Sequence, residues 1–447
     1  MPANSSSVDG EGAATVTDSV RRGGPGPLVV AGILVLVGLA IGLAAALVDD
    51  DSTVVSDVGV APEAVPPVSV EAVEAVESYR ADPRAETMRR LLSSIGGVEA
   101  VARGEVEGAF DLVRFDPLNP DRLLAVRRSS YGRAENQDVN ELWEVDSDGV
   151  TRRLWDQDTP HDFAHFNVDG TITMWVSNQT GESYGPRIAL QMANDGRPII
   201  ETEPMFASRF TASGGSVFAL TGDGDYYSDT DSYQQLVVDG AIRTVLDSGA
   251  DYSWIDNPVP ELLVAYPRSL EGVTAVWDSR TVQRLDRHPL AGRPYQRVSV
   301  SGDRKTAVGV DFDGRMEQLD LESGAVLGQF GSVQIGAIDQ PLTLNGDGTL
   351  AITVERSGQV SLWWVGDDTP LAVVAAGAAQ PRWVWEQHGA RAASAVAADA
   401  SRIALRYSAQ PGQSVRWLIV DTTVEAWIEH ACAYATPALA ELDATSC

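Results

Sequence analysis

The chain has 447 residues, of which 33 are basic and 63 are acidic, so its formal net charge is −30 at pH 7. A surface this negative repels phosphate backbones and argues against nucleic-acid binding. Cys432 and Cys447 are the only cysteines, which excludes cysteine-rich zinc modules. The two cysteines could form a disulfide if this part of the chain is exported.

The N-terminal region predicts a membrane anchor. Residues 1–26 are small and polar and predict a disordered cytoplasmic tail, whereas residues 27–48 carry no charge. As a helix the latter would reach about 33 Å, enough to cross a hydrocarbon layer of about 30 Å. Arg21 and Arg22 before it and the aspartates at 49–51 after it place the N-terminus in the cytoplasm and the rest outside. A cleaved signal peptide is the alternative, but the apolar run is longer than such a peptide requires.

An acidic linker at residues 49–68 precedes a helical segment at residues 69–97. The apolar residues expected on its two helices are Val70, Val73, Val76 and Tyr79 on the first, and Met88, Leu91, Leu92 and Ile95 on the second. A dimerising coiled coil next to the membrane is one interpretation. A short helical pair that packs on the neighbouring domain is favoured, because the pattern lasts only a few turns.

Residues 98–424 predict an all-β domain, a seven-bladed β-propeller. Seven short apolar runs suited to buried strands occupy residues 122–127, 171–177, 216–221, 261–266, 305–310, 350–355 and 402–407. Their starts are 49, 45, 45, 44, 45 and 52 residues apart. A period near 45 residues with several strands in each unit is typical of propeller blades. Two stacked sandwich domains are the alternative, and they would not need so regular a spacing.

The closure of the ring is also predicted. No fourth strand follows residue 420, since residues 425–447 indicate a C-terminal helix and tail. Residues 98–108 can supply the missing outer strand of the last blade. Strands from both ends of the domain would then share one blade and leave no free edge.

These units resemble WD repeats, with Trp277-Asp278 keeping the terminal pair of that motif and Leu319-Asp320 standing in its place elsewhere. The C-terminal helix with Trp427 and Cys432, and the lead-in at residues 82–104, resemble membrane-anchored actinobacterial WD-repeat sensors. In that group a STAND-type NTPase often precedes the membrane helix and the propeller acts as the sensor. No Gly-rich phosphate loop occurs here, so the resemblance implies no NTPase activity.

The acidic loop at residues 222–232 is a candidate calcium site. Its carboxylates, which hard cations prefer, are Asp223, Asp225, Asp229 and Asp231. The loop lacks the glutamate that completes an EF-hand, so a solvated hairpin loop is the default and no cofactor is expected.

Two aromatic pairs are candidate binding residues. Tyr226 and Tyr227 lie within the acidic loop, and Trp383 and Trp385 lie in an insertion at residues 381–389. Most other tryptophans sit in or beside predicted strands and read as packing between blades. These four side chains therefore predict contacts with a protein or envelope component.

The sequence favours a single-pass protein of the cell membrane whose propeller lies outside and serves as a protein-binding scaffold or sensor. No catalytic motif such as Gly-x-Ser-x-Gly occurs, so enzymatic activity is not expected. The alternatives are an exported propeller hydrolase or lyase acting on polysaccharide, and a calcium-stabilised surface domain. The partner, pathway and oligomeric state are not encoded in any motif.

The topology can be tested with protease added to intact cells. We expect the protease to degrade the propeller and to spare residues 1–26, because the charge asymmetry holds that tail in the cytoplasm. The measurement is immunoblotting with epitopes at the two termini. Loss of the N-terminal epitope in intact cells, with survival of the C-terminal one, would contradict the orientation.

Overall fold

The structure is a computed structural model that describes residues 70–433 except for several connections. The residues not described inside this range are 109, 130–138, 147–150, 156–160, 178–186, 194–197, 202–206, 214–215, 223–232, 239–240, 246–251, 335–341, 356–358, 375–393 and 409–414. Within the described part of the chain, no helix is long and apolar enough to cross a membrane. The predicted span at residues 27–48 lies outside it.

Helices flank the β-domain on both sides in sequence. They are α1 (Val70–Ala81), α2 (Ala85–Ser94), a 3-10 turn (Val98–Val101) and, at the C-terminal end, α3 (Val424–Ala433). In α2 the predicted residues Met88, Leu91 and Leu92 are buried. In α1 the innermost positions are Ala72, Ala75 and Val76, whereas Val73 is only partly buried. The expected valine stripe is therefore rotated, because small alanine side chains let the helix approach its neighbours closely.

The strands follow one another as antiparallel meanders. The first sheet contains β2 (Phe110–Asp116), β3 (Asn119–Ser129), β4 (Val139–Asp146) and β5 (Thr151–Trp155), and the second contains β6 (His161–Phe166), β7 (Ile172–Ser177), β8 (Arg187–Met192) and β9 (Pro198–Glu201). A larger third sheet contains β10 (Ala207–Ser213), β11 (Ser216–Gly222), β12 (Tyr233–Val238), β13 (Ala241–Val245), β14 (Tyr252–Val259), β15 (Leu262–Pro267) and β16 (Ala275–Asp278).

Three further four-stranded sheets complete the domain. They contain β17 (Tyr295–Val300), β18 (Thr306–Asp311), β19 (Arg315–Asp320) and β20 (Val326–Ser332); β21 (Leu342–Leu344), β22 (Leu350–Val354), β23 (Val360–Trp364) and β24 (Ala372–Val374); and β25 (Ser394–Val396), β26 (Arg402–Ser408), β27 (Val415–Asp421) and β1 (Ala102–Gly108). The first strands of successive repeat units lie side by side, as β14 with β17, β17 with β21, and β25 with β2. The domain is therefore an all-β propeller.

The prediction of seven separate blades is wrong. The described residues form five separate four-stranded blades, and β10–β16 form one continuous seven-stranded sheet. The two repeat units in this sheet are joined where Tyr233 of β12 pairs with Tyr252 of β14. A single backbone pairing between neighbouring units depends on how the strands approach in space, so the repeat spacing could not foretell it.

The seven predicted apolar runs all become second strands of the meander: β3, β7, β11, β15, β18, β22 and β26. A second strand has a partner strand on each edge and packed side chains on both faces. All five residues of β22 are buried, as are Ala307–Val310 in β18. Continuous burial explains why these strands were readable as unbroken apolar runs.

The ring closes as predicted, with β1 as the outer strand of the last blade. It pairs antiparallel with β27, from Ala102 opposite Val420 to Gly108 opposite Val415. The blade therefore combines the N-terminal strand with three C-terminal strands. Backbone hydrogen bonds join the two ends of the domain, which removes an edge that would otherwise be open.

Charged side chains reinforce this closure. Asp421 accepts a hydrogen bond from the Nε of Arg103, and its other oxygen lies 3.0 Å from the Nε of Arg402. Arg402 also reaches Asp121 of the first sheet, with 2.5 Å between Nη1 and Oδ1. The side chains of Arg402 and Asp421 are only 8% and 7% exposed. Two nearly buried charges thus satisfy each other where the last blade meets the first.

The helices pack against the last two blades. Ala72, Met88 and Leu91 share an apolar cluster with Leu362 of β23 and Trp427 of α3. The helical pair therefore uses its apolar face within the chain, as the packed-pair interpretation requires and the coiled-coil interpretation does not. This packing gives the C-terminal helix and the N-terminal helices a common core.

Substitution of Asp421 by Asn should lower the free energy of unfolding by about 3 kcal/mol, because the nearly buried guanidinium of Arg402 loses its nearly buried partner and keeps only Asp121, whose side chain is 52% exposed. Chemical denaturation measures the change. The matched control is Glu74→Gln, which breaks the exposed Arg90–Glu74 pair (3.3 Å) and should cost about 1 kcal/mol or less. Equal effects of the two substitutions would contradict the closing role of Asp421.

Candidate functional site

The meander gives the propeller two different faces. Connections from a first to a second strand, and from a third to a fourth, all lie at one end of the sheets, which we call the short-turn face. Connections from a second to a third strand, and from a fourth strand to the next blade, lie at the opposite end, the long-connection face. The connection from Val374 to Ser394 is of the second kind, whereas the turn from Val300 to Thr306 is of the first.

Aspartates hold the short-turn face rigid. The Oδ1 atoms of Asp169, Asp303, Asp347 and Asp399 each accept a backbone N–H from the residue two positions later at 3.0 Å. These side chains replace missing backbone partners in tight turns. These four described turns of the short-turn face therefore share one hydrogen-bonding pattern.

A second set of aspartates ends the third strands, as in a WD repeat. Asp278, in the Trp277-Asp278 pair, accepts hydrogen bonds from the backbone N–H and hydroxyl of Thr281. Asp320 does the same for Ser323. The hydrogen bonds from Thr281 hold the pKa of Asp278 below its ordinary value, and those from Ser323 do so for Asp320. Asp278 and Asp320 therefore stabilise the turns that follow the third strands.

Part of the short-turn face is covered by the N-terminal helices. Arg89 of α2 donates to Asp367 and to the carbonyl oxygen of Thr369, each at 2.6 Å. Both acceptors belong to the connection between β23 and β24. At the blade that contains β23 and β24, the short-turn face is therefore occupied by contacts with α2 of the same chain.

The predicted binding residues Tyr226, Tyr227, Trp383 and Trp385 lie outside the described residues. In the sequence, the two tyrosines fall between β11 and β12, and the two tryptophans fall between β24 and β25. Their role as binding residues stays a prediction.

The predicted calcium ligands are Asp223, Asp225, Asp229 and Asp231, and these also lie outside the described residues. Among the residues that the structure does describe, no three or more His, Cys, Asp or Glu side chains are grouped to hold a metal ion. Cys432 in α3 is disulfide-bonded. Cys447, the other cysteine, is not among the described residues, so their pairing stays a prediction.

One described hairpin stands out on the long-connection face. It spans residues 268–274 between β15 and β16, and Leu270 is 68% exposed and Val273 43% exposed. The repeat pattern did not indicate this hairpin, because the strand period does not report which apolar side chains are exposed. The signal that could have found it is an apolar residue in a Ser-Leu-Glu-Gly turn, where a polar residue is usual.

Backbone hydrogen bonds fix this hairpin. The N–H of Gly272 donates to the carbonyl oxygen of Ser269 at 3.0 Å, and the N–H of Thr274 donates to that of Arg293 at 2.7 Å. A Cβ at Gly272 would lie 2.5 Å from the Cβ of Pro267, so only glycine fits the close approach of the two arms. These contacts define the backbone path of the hairpin.

The outer edge of β16 departs from the repeat. Only one bridge, Trp277 with Arg284, pairs it with residues beyond it, and residues 284–293 follow an irregular path instead of a fourth strand. Leu290 of this path is fully buried. The neighbourhood of the exposed hairpin is thus the least regular of the described outer edges.

Arg293 ties this irregular segment to the next blade. Its Nη2 donates to the carbonyl oxygen of Gly324 at 3.1 Å, and its Nη1 lies 3.5 Å from the Oε2 of Glu317. The hydroxyl of Tyr295 also donates to Glu317. Burial, followed by the hydrogen bond with Glu317, raises the pKa of Tyr295. Glu317 is thus occupied by Tyr295 of its own blade and by Arg293 of the segment that precedes it.

Deeper in the same region, a cation lies against two aromatic rings. The guanidinium carbon of Arg297 is 4.4 Å from the ring centre of Trp254 and 5.4 Å from that of Tyr266. Burial raises the pKa of Tyr266, so this residue stays a neutral phenol. These contacts join β17 to β14 and β15 and make the base of the hairpin rigid.

Comparisons with known proteins add little to this geometry. No protein-family model and no curated protein matches the chain. A solved structure titled "Crystal Structure of Mitotic Checkpoint Complex" is similar with a TM-score of 0.44 and 10% identity, over 72% of this chain and 92% of that chain. Similarity this low supports no conclusion about the fold or function of this chain. The assignment as a WD-repeat-like propeller therefore rests on the strand order and the aspartate turns.

Substitution of Gly272 by Ala should lower the free energy of unfolding by about 1 to 2 kcal/mol, because the new methyl group clashes with Pro267. Thermal and chemical denaturation measure this change. Gly328→Ala is the control, since a Cβ there meets no atom within 4 Å. An unchanged or raised stability for Gly272→Ala would show that the hairpin is not fixed as described.

Proposed function

We propose that this protein is a membrane-anchored scaffold or sensor whose propeller binds a protein or another component of the cell envelope. The observation that carries the proposal is the contrast between the two faces. One face is closed by hydrogen-bonded turns and helices, and the other bears the long connections and the exposed apolar hairpin. Binding residues are commonly held on connections that a rigid scaffold positions.

The proposed location is outside the cytoplasm, with the chain crossing the membrane once at residues 27–48. The uncharged run and the flanking charges in the sequence support the anchor. The disulfide at Cys432 supports an oxidising compartment, because cytosolic thiols are kept reduced. The resemblance to membrane-anchored actinobacterial sensors is consistent with this location.

The proposed contacts include Tyr226, Tyr227, Trp383 and Trp385, which the sequence offers as aromatic side chains in connections between strands. Aromatic side chains are enriched in protein interfaces because they offer large contact areas with little conformational entropy to lose. Calcium binding by the adjacent aspartates stays a separate proposal, tested by whether chelation lowers the melting temperature.

A non-enzymatic role is part of the proposal. Glu317 illustrates the reason: this partly buried carboxylate is already bound by Tyr295 of the same blade and by Arg293. The alternative of a hydrolase or lyase would need carboxylates that converge on an open cleft.

The proposal is tested by affinity purification of the full-length protein from detergent-solubilised membranes. We expect a specific protein to co-purify, and we expect Tyr226→Ala/Tyr227→Ala or Trp383→Ala/Trp385→Ala to reduce its recovery about tenfold or more. Val373→Ser is the control, because Val373 is exposed on the outer strand β24. Release of sugar from envelope polysaccharide, without a co-purifying protein, would contradict the proposal and support the enzyme.

A further inference from the structure

We infer that the hairpin at residues 268–274 is a contact element for a basic protein partner, with Leu270 and Val273 inserting into an apolar socket on that partner. This inference rests on the proposed scaffold function. It goes further by assigning described residues to the interface and a charge to the partner.

Other described apolar side chains are also exposed, but Ile199, Leu327 and Val373 lie on the outer strands β9, β20 and β24. Leu118 is about as exposed as Leu270, at 69%, but lies on the short-turn face and has a packing role there. The Cδ1 of Leu118 lies 2.6 Å from where a Cβ of Gly170 would be, so it covers the turn of the next blade. Leu270 instead stands at the tip of a hairpin, on the face where the connections diverge.

Rigidity makes the hairpin suitable for binding. The bonds of Gly272 to Ser269 and of Thr274 to Arg293 fix both arms. In addition, the hydroxyl of Thr274 donates to the carbonyl oxygen of Leu290, which is itself a core residue. A hairpin whose backbone is already held by hydrogen bonds loses less conformational entropy when a partner covers it.

Charge decides the class of the partner. The chain carries a formal net charge of −30, so it attracts a basic protein surface and accelerates the encounter at low ionic strength. The same charge repels bilayers rich in anionic lipid, which argues against insertion of Leu270 into a membrane. A protein whose apolar socket is bordered by Lys or Arg satisfies both the charge and the exposed side chains.

The test is site-specific photocrosslinking in native membranes that contain the full-length protein. A photoreactive benzoylphenylalanine replaces Leu270 in one chain and Leu118 in another. We expect a discrete protein adduct from position 270 and none from position 118. Adding Val273→Asp to the first chain should reduce the adduct about tenfold, and high salt should reduce it as well.

Four results would overturn the inference. They are adducts of equal yield from both positions, adducts with lipid instead of protein, insensitivity to both Val273→Asp and salt, and an acidic protein in the adduct. Unchanged thermal melting of the Val273→Asp chain establishes that it is folded.

Photoreactive residues at positions 226 and 383 distinguish failure of the hairpin inference from failure of the proposed scaffold function. If these positions give a protein adduct and position 270 does not, the scaffold function stands and the hairpin is not part of its interface. If none of the three positions gives a protein adduct, the scaffold function itself fails.

Discussion

The antiparallel pairing of β1 with β27 is the contact on which the rest of the structure depends. It places the first and last strands of the β-domain in one blade, so backbone hydrogen bonds hold the two ends of this domain together. The nearly buried Asp421 joins Arg103 of β1 to Arg402 of β26, and Arg402 continues to Asp121 in the first sheet. The backbone pairing and the charged side chains therefore close the ring at the same place.

Closure at this seam also explains the arrangement of the helices. The chain reaches β1 through α1 and α2 and leaves β27 into α3, so all three helices are brought to the same blades. There they bury a common apolar cluster around Leu91 and Trp427. Arg89 fastens this layer to the short-turn face. The long-connection face carries the longer connections between strands. This is the arrangement expected of a scaffold that binds at one face.

The parts of the fold that were predictable share a physical origin. Second strands such as β18 and β22 are buried on both faces, so their continuous apolar runs were visible in the sequence. The face of α1 was predicted in part: Val76 is buried and Tyr79 packs on the same cluster, but the pattern did not indicate Ala72 and Ala75. The division into blades was misjudged because one pairing, Tyr233 with Tyr252, merges two repeat units. The exposed hairpin with Leu270 was missed because exposure is a property of the folded surface, and periodicity does not report it.

The sequence by itself determined the class of the protein: an all-β repeat domain with a closing N-terminal strand, a C-terminal helix and an acidic surface. These features follow from local composition, spacing and charge, which each residue carries regardless of its neighbours in space. Only the tertiary structure decided which turns form a rigid face, how Asp421 and Glu317 are occupied, and that Leu270 faces solvent on a fixed hairpin. Such features depend on contacts between residues far apart in the chain, and those contacts exist only once the ring has closed.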